Sequence, residues 1–331
     1  MLNFCTLFDS NYLSRGLCMI DSLIEVCPDF KVFVFAFDNT TYSILSKINF
    51  PQMKVISLSD FEDEQLLLIK STRNRTEYFW TCTSSTILYC LSNFEIDHCV
   101  YIDADIYFYS NPQVLVEEFD KYDVMITEHR YTKEYDISNL YGKYCVQFLY
   151  FKNNQNGTHI LNWWRNACLD WCYAKTEEGK FGDQKYLDNW TVLFEGVHVL
   201  NNLGGGVAPW NVQQYDIAKN GEGLMGFEKK NKTSFSIVFF HFHHVIINDG
   251  RFIKSYNLGP YRLNEEVIKL IYKPYIKKLV KKELSLKMMV RSFEFSGTNK
   301  LNFSFARFIY YIIISAFKKN VLIYFKQWPI Y

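Results

Sequence analysis

The sequence predicts an α/β protein built on a doubly wound, mostly parallel sheet, and three observations predict it. Short apolar runs rich in β-branched and aromatic residues recur at 2–8, 31–37, 54–58 and 99–102, and such runs read as buried strands. The segments between them, at 13–27, 41–47, 61–69 and 84–93, place apolar residues at helical spacing, and strands alternating with helices fold into parallel units. The 331 residues are 49% hydrophobic and 18% aromatic, enough to bury a large core.

After residue 110 the alternation loosens. Residues 124–127 and 146–151 read as strands, 160–174 as an aromatic-rich helix and 185–190 as a short helix. Gly204-Gly205-Gly206 reads as a flexible loop, because no helix start with Lys-Ser/Thr follows to make it a phosphate cradle. Residues 236–242 read as a strand running into His241-Phe242-His243-His244. From about 262 the chain reads as helices rich in Lys, Tyr and Ile. The division expected is a body of residues 1–250 and a helical, basic and aromatic region of residues 251–331. Trp163, Trp164 and Trp171 are assigned to the core, with the alternative that one of them flanks an acceptor sugar.

The formal net charge of +1 hides an asymmetry. Residues 251–331 carry 16 Lys/Arg against 4 Asp/Glu, and residues 1–250 carry 20 against 31. A basic tail on an acidic body argues for an anionic surface near the C-terminus. Lys277, Lys278, Lys281, Lys282, Lys287 and Arg291, followed by the mix of aromatics, Ile and Lys over 303–325, suit a helix lying in a membrane interface. The competing reading is a helix packed on the body with a solvated Lys face. Nucleic acid is not expected as a partner, since no recognised motif accompanies the charge. Residues 308–317 are strongly apolar but too few to span a bilayer. No Cys-x-x-Cys pair occurs among nine cysteines, so a zinc site is not expected; Cys145, Cys168 and Cys172 read as reduced core residues. Met1 leads at once into a strand-like run, so the expected location is cytoplasmic, at the inner face of the cytoplasmic membrane if the tail binds lipid.

The chemistry concentrates at Asp103-Ala104-Asp105, where an apolar strand ends in two carboxylates one residue apart. Ligands of open α/β sheets bind beyond the carboxyl ends of the strands, and Asp9 sits at the end of the first strand as Asp103 does at the fourth. Two hard oxygen ligands suit Mg²⁺ or Mn²⁺, and a divalent ion stabilises a departing diphosphate. Ala104 leaves room for a sugar or ribose. A D-x-D triplet also ends strands by chance, so the pair needs a third ligand. His241 is the natural one; His243 shares its strand face, and His244 points the other way.

This constellation resembles the GT-A glycosyltransferases, most closely the retaining family 8 type that includes glycogenin and the bacterial lipopolysaccharide galactosyl- and glucosyltransferases. Four ordered segments within residues 1–250 carry the resemblance: Phe8-Asp9-Ser10-Asn11-Tyr12, Asp103-Ala104-Asp105, Gly182-Asp183-Gln184-Lys185-Tyr186-Leu187 and Phe240-His241-Phe242-His243. Pro209-Trp210-Asn211 looks like a family loop near the acceptor. The resemblance implies a Rossmann-like mixed sheet flanked by helices, with a helical basic C-terminal extension. It implies Asp103, Asp105 and His241 as ligands of Mn²⁺ or Mg²⁺; Asp9, Asn11 and Tyr12 as nucleotide contacts; Asp183 and Gln184 beside the anomeric carbon; and Ala104, Trp210 and Asn211 against substrate.

The activity so implied is transfer of a hexose from a nucleotide-diphosphate sugar, UDP-linked by preference, to a glycan or lipid-linked acceptor, with retention, in lipopolysaccharide- or capsule-type biosynthesis. The chain also departs from the family. Thr83-Ser84-Ser85-Thr86 stands where the family has a donor-binding Arg, Cys145-Val146-Gln147 where it has Asn-x-Gly, and Ile246-Ile247 where it has a phosphate-binding Lys, with Arg251 or Lys254 as substitutes. These departures point to a related bacterial surface-glycan branch. The alternative they raise is a nucleotide-sugar-binding scaffold with a decayed catalytic site.

Overall fold

The computed structural model describes residues 1–290 apart from 49, 120, 222 and 250–252, together with 298–300 and 320–325. Four parallel strands open the fold: β1 (Leu2–Phe8), β2 (Phe30–Ala36), β3 (Met53–Ser57) and β4 (His98–Ile102). The short β5 (Ile106–Phe108) follows. The sheet is then extended by β6 (Val124–Glu128), β7 (Tyr144–Lys152) and β8 (Val197–Val199) in the order β3-β2-β1-β4-β7-β6-β8. β7 runs antiparallel to both β4 and β6, while β6 pairs with β8 in parallel, so the sheet is mixed but mostly parallel, as expected, with one reversed strand.

The strand sequences are apolar on both faces because both faces are covered. On β1 and β2, Phe4, Phe8, Val32 and Val34 pack with Leu17 and Leu23 of helix Leu13–Val26. Cys5, Leu7, Phe33 and Phe35 face the opposite way, toward Cys82, Ile87 and Cys90 of helix Arg75–Asn93 and Trp164 of helix Gln155–Asp170. All nine cysteines are free and buried.

Helix Arg75–Asn93 begins nine residues earlier than its apolar spacing predicts. Asn74 and Glu77 form a reciprocal capping box: the Asn74 side chain accepts the Glu77 N–H at 3.0 Å, and Glu77 accepts the Asn74 N–H at 2.9 Å. The aromatic-rich helix likewise starts at Gln155, capped by the Asn154 side chain on Gly157 N–H, and ends at Asp170 rather than 174.

The rest of the chain closes one end. β9 (Tyr215–Asn220), β10 (Gly223–Glu228) and β11 (Ser234–Ser236) form an antiparallel sheet. β12 (Phe239–His241) pairs with β5, and β13 (Ile246–Asp249) with β14 (Ile253–Asn257). The strand predicted over 236–242 is therefore two strands. Between them the Val238 and Phe239 N–H groups both turn to the carbonyl of Gly204. Gly204-Gly205-Gly206 is consequently a packed crossing, not a flexible loop: a β-carbon at 204 would lie 2.0 Å from the Ser236 carbonyl oxygen.

In the C-terminal region, helix Lys273–Met289 lies against helix Leu13–Val26, with Lys278 bridging Glu25 at 2.6 Å and Lys282 bridging Asp21 at 2.6 Å. That is the packed alternative for the basic helix. β15 (Thr298–Lys300) pairs with β13, and β16 (Val321–Phe325) with β14; residues 321–325 are thus a strand where a helix is predicted. Arg291, residues 303–319 and the apolar run 308–317 lie outside the described residues. No helix among the described residues is long and apolar enough to cross a membrane.

Candidate active site

A cleft of about 580 Å³ opens at the carboxyl ends of β1 and β4. Asp103 and Asp105 occupy the turn between β4 and β5. The Asp103 N–H donates to the Gln147 carbonyl on β7 at 3.1 Å, and the Phe242 N–H donates to the Asp105 carbonyl at 2.8 Å. Pairing of β12 with β5 sets His241 opposite Ile106, which delivers the imidazole to the carboxylates. His241 Nε2 is 3.1 Å from Asp105 Oδ1 and 3.9 Å from Asp103 Oδ2. One ligand atom from each of the three residues lies within 4.8 Å of the others.

This donor set fits Mn²⁺ or Mg²⁺: two carboxylate oxygens and one imidazole on one wall of a cleft. The electrostatics agree. Burial pushes Asp103 up to about 6, opposed by His241 and reinforced by Asp105. Burial also opposes ionisation of Asp105, but the adjacent His241 outweighs it and holds Asp105 down to about 2. Against burial, the Asp105 charge pulls the His241 imidazolium well above the usual histidine range. The imidazolium and a divalent cation are therefore alternative counter-charges for the two carboxylates.

The structure separates the three neighbouring histidines. His241 is buried among the carboxylates. His243 lines the cleft one step away, its ring 5.8 Å from that of His241, and burial followed by the His241 charge lowers it to about 4. His244 is exposed and turns away with φ of 66°.

The loop after β1 folds on itself. Asp9 is buried, and its carboxylate accepts the Asn11 main-chain N–H at 2.8 Å and the Asn11 side-chain amide at 3.3 Å. Tyr12 stays 42% exposed at the cleft, with the Arg15 guanidinium over its ring; burial of its hydroxyl, then Asp105, pushes that hydroxyl up to about 12. Arg75, at the first turn of its helix, pairs with Asp9 and lies 3.7 Å from Asp38. It lines the cleft, a place the sequence reading gave to no residue. The Asn74-Arg-Thr-Glu77 capping box was the signal that would have found this helix start.

Asp183 is 2% exposed and lines the same cleft, and its Oδ2 has no hydrogen-bond partner among the described residues. Burial pushes it up to about 7, opposed by a Thr83 hydrogen bond and reinforced by Asp103. Gln184 also lines the cleft and donates its amide to the Tyr141 carbonyl at 2.8 Å. Gly182, with φ of 51°, brings this segment against the Trp80 ring, which packs with Phe181. Trp80, Tyr141 and Phe181 form an aromatic wall that the sequence did not single out. Ala104 lines the cleft beside the carboxylates.

Hydrogen bonds tie further residues near the cleft to the frame. Trp210 edges the cleft, but its indole N–H donates to the His129 carbonyl at 2.9 Å. Asn211 is fully buried, its amide donating to the His129 and Gly206 carbonyls, and it does not line the cleft. Arg130 donates to the carbonyls of Leu200, Asn202 and Gly205, so it holds the glycine crossing, while Glu128 lies 3.8 Å from Lys143. Lys254 is buried against Glu283 beneath the C-terminal helix and is no phosphate ligand of this cleft. Arg251 lies outside the described residues. Trp164 is core, as assigned, while Trp163 and Trp171 are half-buried outside the cleft.

The sheet order, with the cleft at its strand ends, is that of the GT-A glycosyltransferase fold. The chain superposes on galactosyltransferase LgtC, solved in complex with donor and acceptor sugar analogues, with a TM-score of 0.50; the match covers 85% of this chain and 96% of that chain at 11% identity. No protein-family model matches the sequence. The chain belongs to the family of YfnF, an uncharacterized protein of Bacillus subtilis (strain 168), to which it is 30% identical over 248 residues, 72% of this chain and 80% of YfnF. It is also 28% identical over 283 residues to the uncharacterized protein YfnD of the same organism, 83% of this chain and 87% of YfnD.

Proposed function

We propose that the protein is a metal-dependent glycosyltransferase that moves a hexose from a nucleotide-diphosphate sugar, UDP-linked by preference, to a glycan or lipid-linked acceptor in lipopolysaccharide- or capsule-type biosynthesis. The observation that carries this reading is the convergence of Asp103, Asp105 and His241 Nε2 on one wall of a cleft whose other walls hold Asp9 and Asp183. LgtC was solved with donor and acceptor sugar analogues, and a donor and an acceptor site in this cleft are proposed here.

Asp103, Asp105 and His241 would hold Mn²⁺ or Mg²⁺, which when bound supplies positive charge to the departing diphosphate. Asp9, Asn11 and Tyr12 bind the nucleoside. Asp183 and Gln184 position the donor sugar, with Ala104 giving it room. For retention, the acceptor oxygen attacks the anomeric carbon on the face from which the diphosphate departs: the carbon–oxygen bond to phosphate breaks, the new glycosidic bond forms, and the acceptor proton passes to a diphosphate oxygen. Asp183 and Gln184 hold the sugar through the oxocarbenium-like state. The aromatic wall of Trp80, Tyr141 and Phe181 excludes water and offers a stacking face to a sugar ring.

Lys273, Lys277 and Lys281, with Leu284 and Met288, lie on the exposed face of the C-terminal helix. This face supports peripheral contact with an anionic membrane from the cytoplasmic side.

The test is a thermal-shift screen of UDP-, GDP- and CMP-sugars with and without Mn²⁺, followed by donor hydrolysis and transfer assays. A UDP-sugar is expected to stabilise the fold only with the metal. Asp103→Ala combined with Asp105→Ala is expected to abolish turnover while leaving the melting transition intact. Full turnover in that double variant would sink the reading. Metal-dependent binding of a UDP-sugar without hydrolysis or transfer would favour the decayed scaffold.

A further inference from the structure

Gln147 touches two of the three candidate metal ligands. It lies in β7, which supplies no ligand, and is fully buried. Its main-chain carbonyl accepts the Asp103 N–H at 3.1 Å, and its side-chain Oε1 lies 2.7 Å from His241 Nδ1. The second contact decides the chemistry of the ring. An acceptor oxygen at Nδ1 keeps hydrogen on that nitrogen, so Nε2, the nitrogen 3.1 Å from Asp105, is the one that can be freed to coordinate. The reversed carboxamide would donate to Nδ1 and force hydrogen onto Nε2, where it blocks coordination.

Two further features support a dedicated orientation. The Gln147 amide nitrogen is buried with no partner among the described residues, so the carboxamide accepts an unpaired donor in order to present its oxygen to His241. The space for that carboxamide comes from the glycine crossing: a β-carbon at Gly206, where φ is 106°, would lie 3.2 Å from Gln147 Nε2.

We infer that Gln147 is the positioning residue of the metal centre: through its backbone it fixes Asp103, and through its carboxamide oxygen it sets the tautomer and ring orientation of His241. The inference rests on the proposed metal site. Outer partners of ligating histidines commonly contribute about 10–100-fold in metal affinity.

The experiment is a Mn²⁺ titration followed by electron paramagnetic resonance, with and without uridine diphosphate, on the parent protein and three variants. Gln147→Met, similar in length but unable to accept, is expected to weaken Mn²⁺ binding by about 10–100-fold. Gln147→Glu, which can only accept at this position, is expected to stay within a fewfold of the parent. Met binding as tight as the parent's overturns the inference, and so does a Glu variant as weak as Met. If the Met variant does not fold, Gln147→Asn, whose carboxamide falls one methylene short, replaces it; unaltered binding there also overturns the inference. A parent that binds no Mn²⁺ under either condition removes the metal reading itself, which is distinct from a parent that binds and is insensitive to residue 147.

Discussion

Trp164 donates its indole N–H to the main-chain carbonyl of Asp183 at 2.9 Å. A fully buried core side chain thus holds the backbone of the residue whose carboxyl faces the cleft. Trp164→Phe keeps an aromatic ring, removes the donor and leaves a small void beside Phe151 and Trp190. The expected stability loss is about 1–2 kcal/mol, while transfer falls about tenfold or more in kcat because a small misplacement at a reacting centre is costly. Urea denaturation and steady-state kinetics separate the two effects; an unchanged kcat would show that the carbonyl bond does not orient Asp183.

Arg75 pairs with Asp9 at the loop after β1, the loop proposed to hold the nucleoside. The Arg side chain is 56% exposed, so its contribution to stability is small, within about 1 kcal/mol. Arg75→Gln is expected to raise the donor KM severalfold to about tenfold with little change in kcat, the pattern of lost uniform binding. A matching fall in kcat would instead place Arg75 in the transition state.

The crossing at Gly204 tolerates no side chain. Gly204→Ala drives a β-carbon into the Ser236 carbonyl and is expected to cost about 1–3 kcal/mol or more. Gly223→Ala, whose nearest atoms lie at 3.7 and 3.8 Å, is the control and should stay within about 0.5 kcal/mol. Equal denaturation midpoints for the two variants would refute the packed crossing.

His98 couples the fold to pH. Its Nε2 accepts the Asn3 N–H at 3.3 Å, and Nδ1 lies 2.6 Å from Asp97. Burial, opposed by Asp97, lowers its pKa below the ordinary value of 6.5. A histidine held neutral by the fold binds its proton more readily when unfolded. Its stabilising effect is therefore complete above about pH 6.5 and falls as pH drops toward the folded value. From about pH 7.5 to 5 the urea midpoint of the parent should fall relative to that of His98→Gln, which keeps an acceptor for Asn3 without titrating; parallel profiles would show that His98 does not couple the fold to pH.

Much of this was legible along the chain. β1, β2 and β4 show because both of their faces are buried, and a continuous apolar run survives as a local signal. Asp103, Asp105, Asp9 and Asp183 were readable because strand ends and short motifs are local. Helix starts were less so: apolar spacing located the middle of helix Arg75–Asn93 and passed over its polar first turns, which the Asn74–Glu77 capping box sets. Residues 321–325, apolar and aromatic without a turn signal, fit helix or strand, and only pairing with β14 selects the strand.

By itself the sequence determined the alternating α/β plan, the paired carboxylates at the end of β4 and a histidine cluster near residue 241, since each depends on residues adjacent in the chain. The tertiary structure alone decided that β12 pairs with β5 and so picks His241 over its neighbours. It also seated Arg75 beside Asp9, raised the wall of Trp80, Tyr141 and Phe181, and put Gln147 behind His241. Those choices join residues dozens of positions apart, and only sheet register and packing bring them within hydrogen-bond reach.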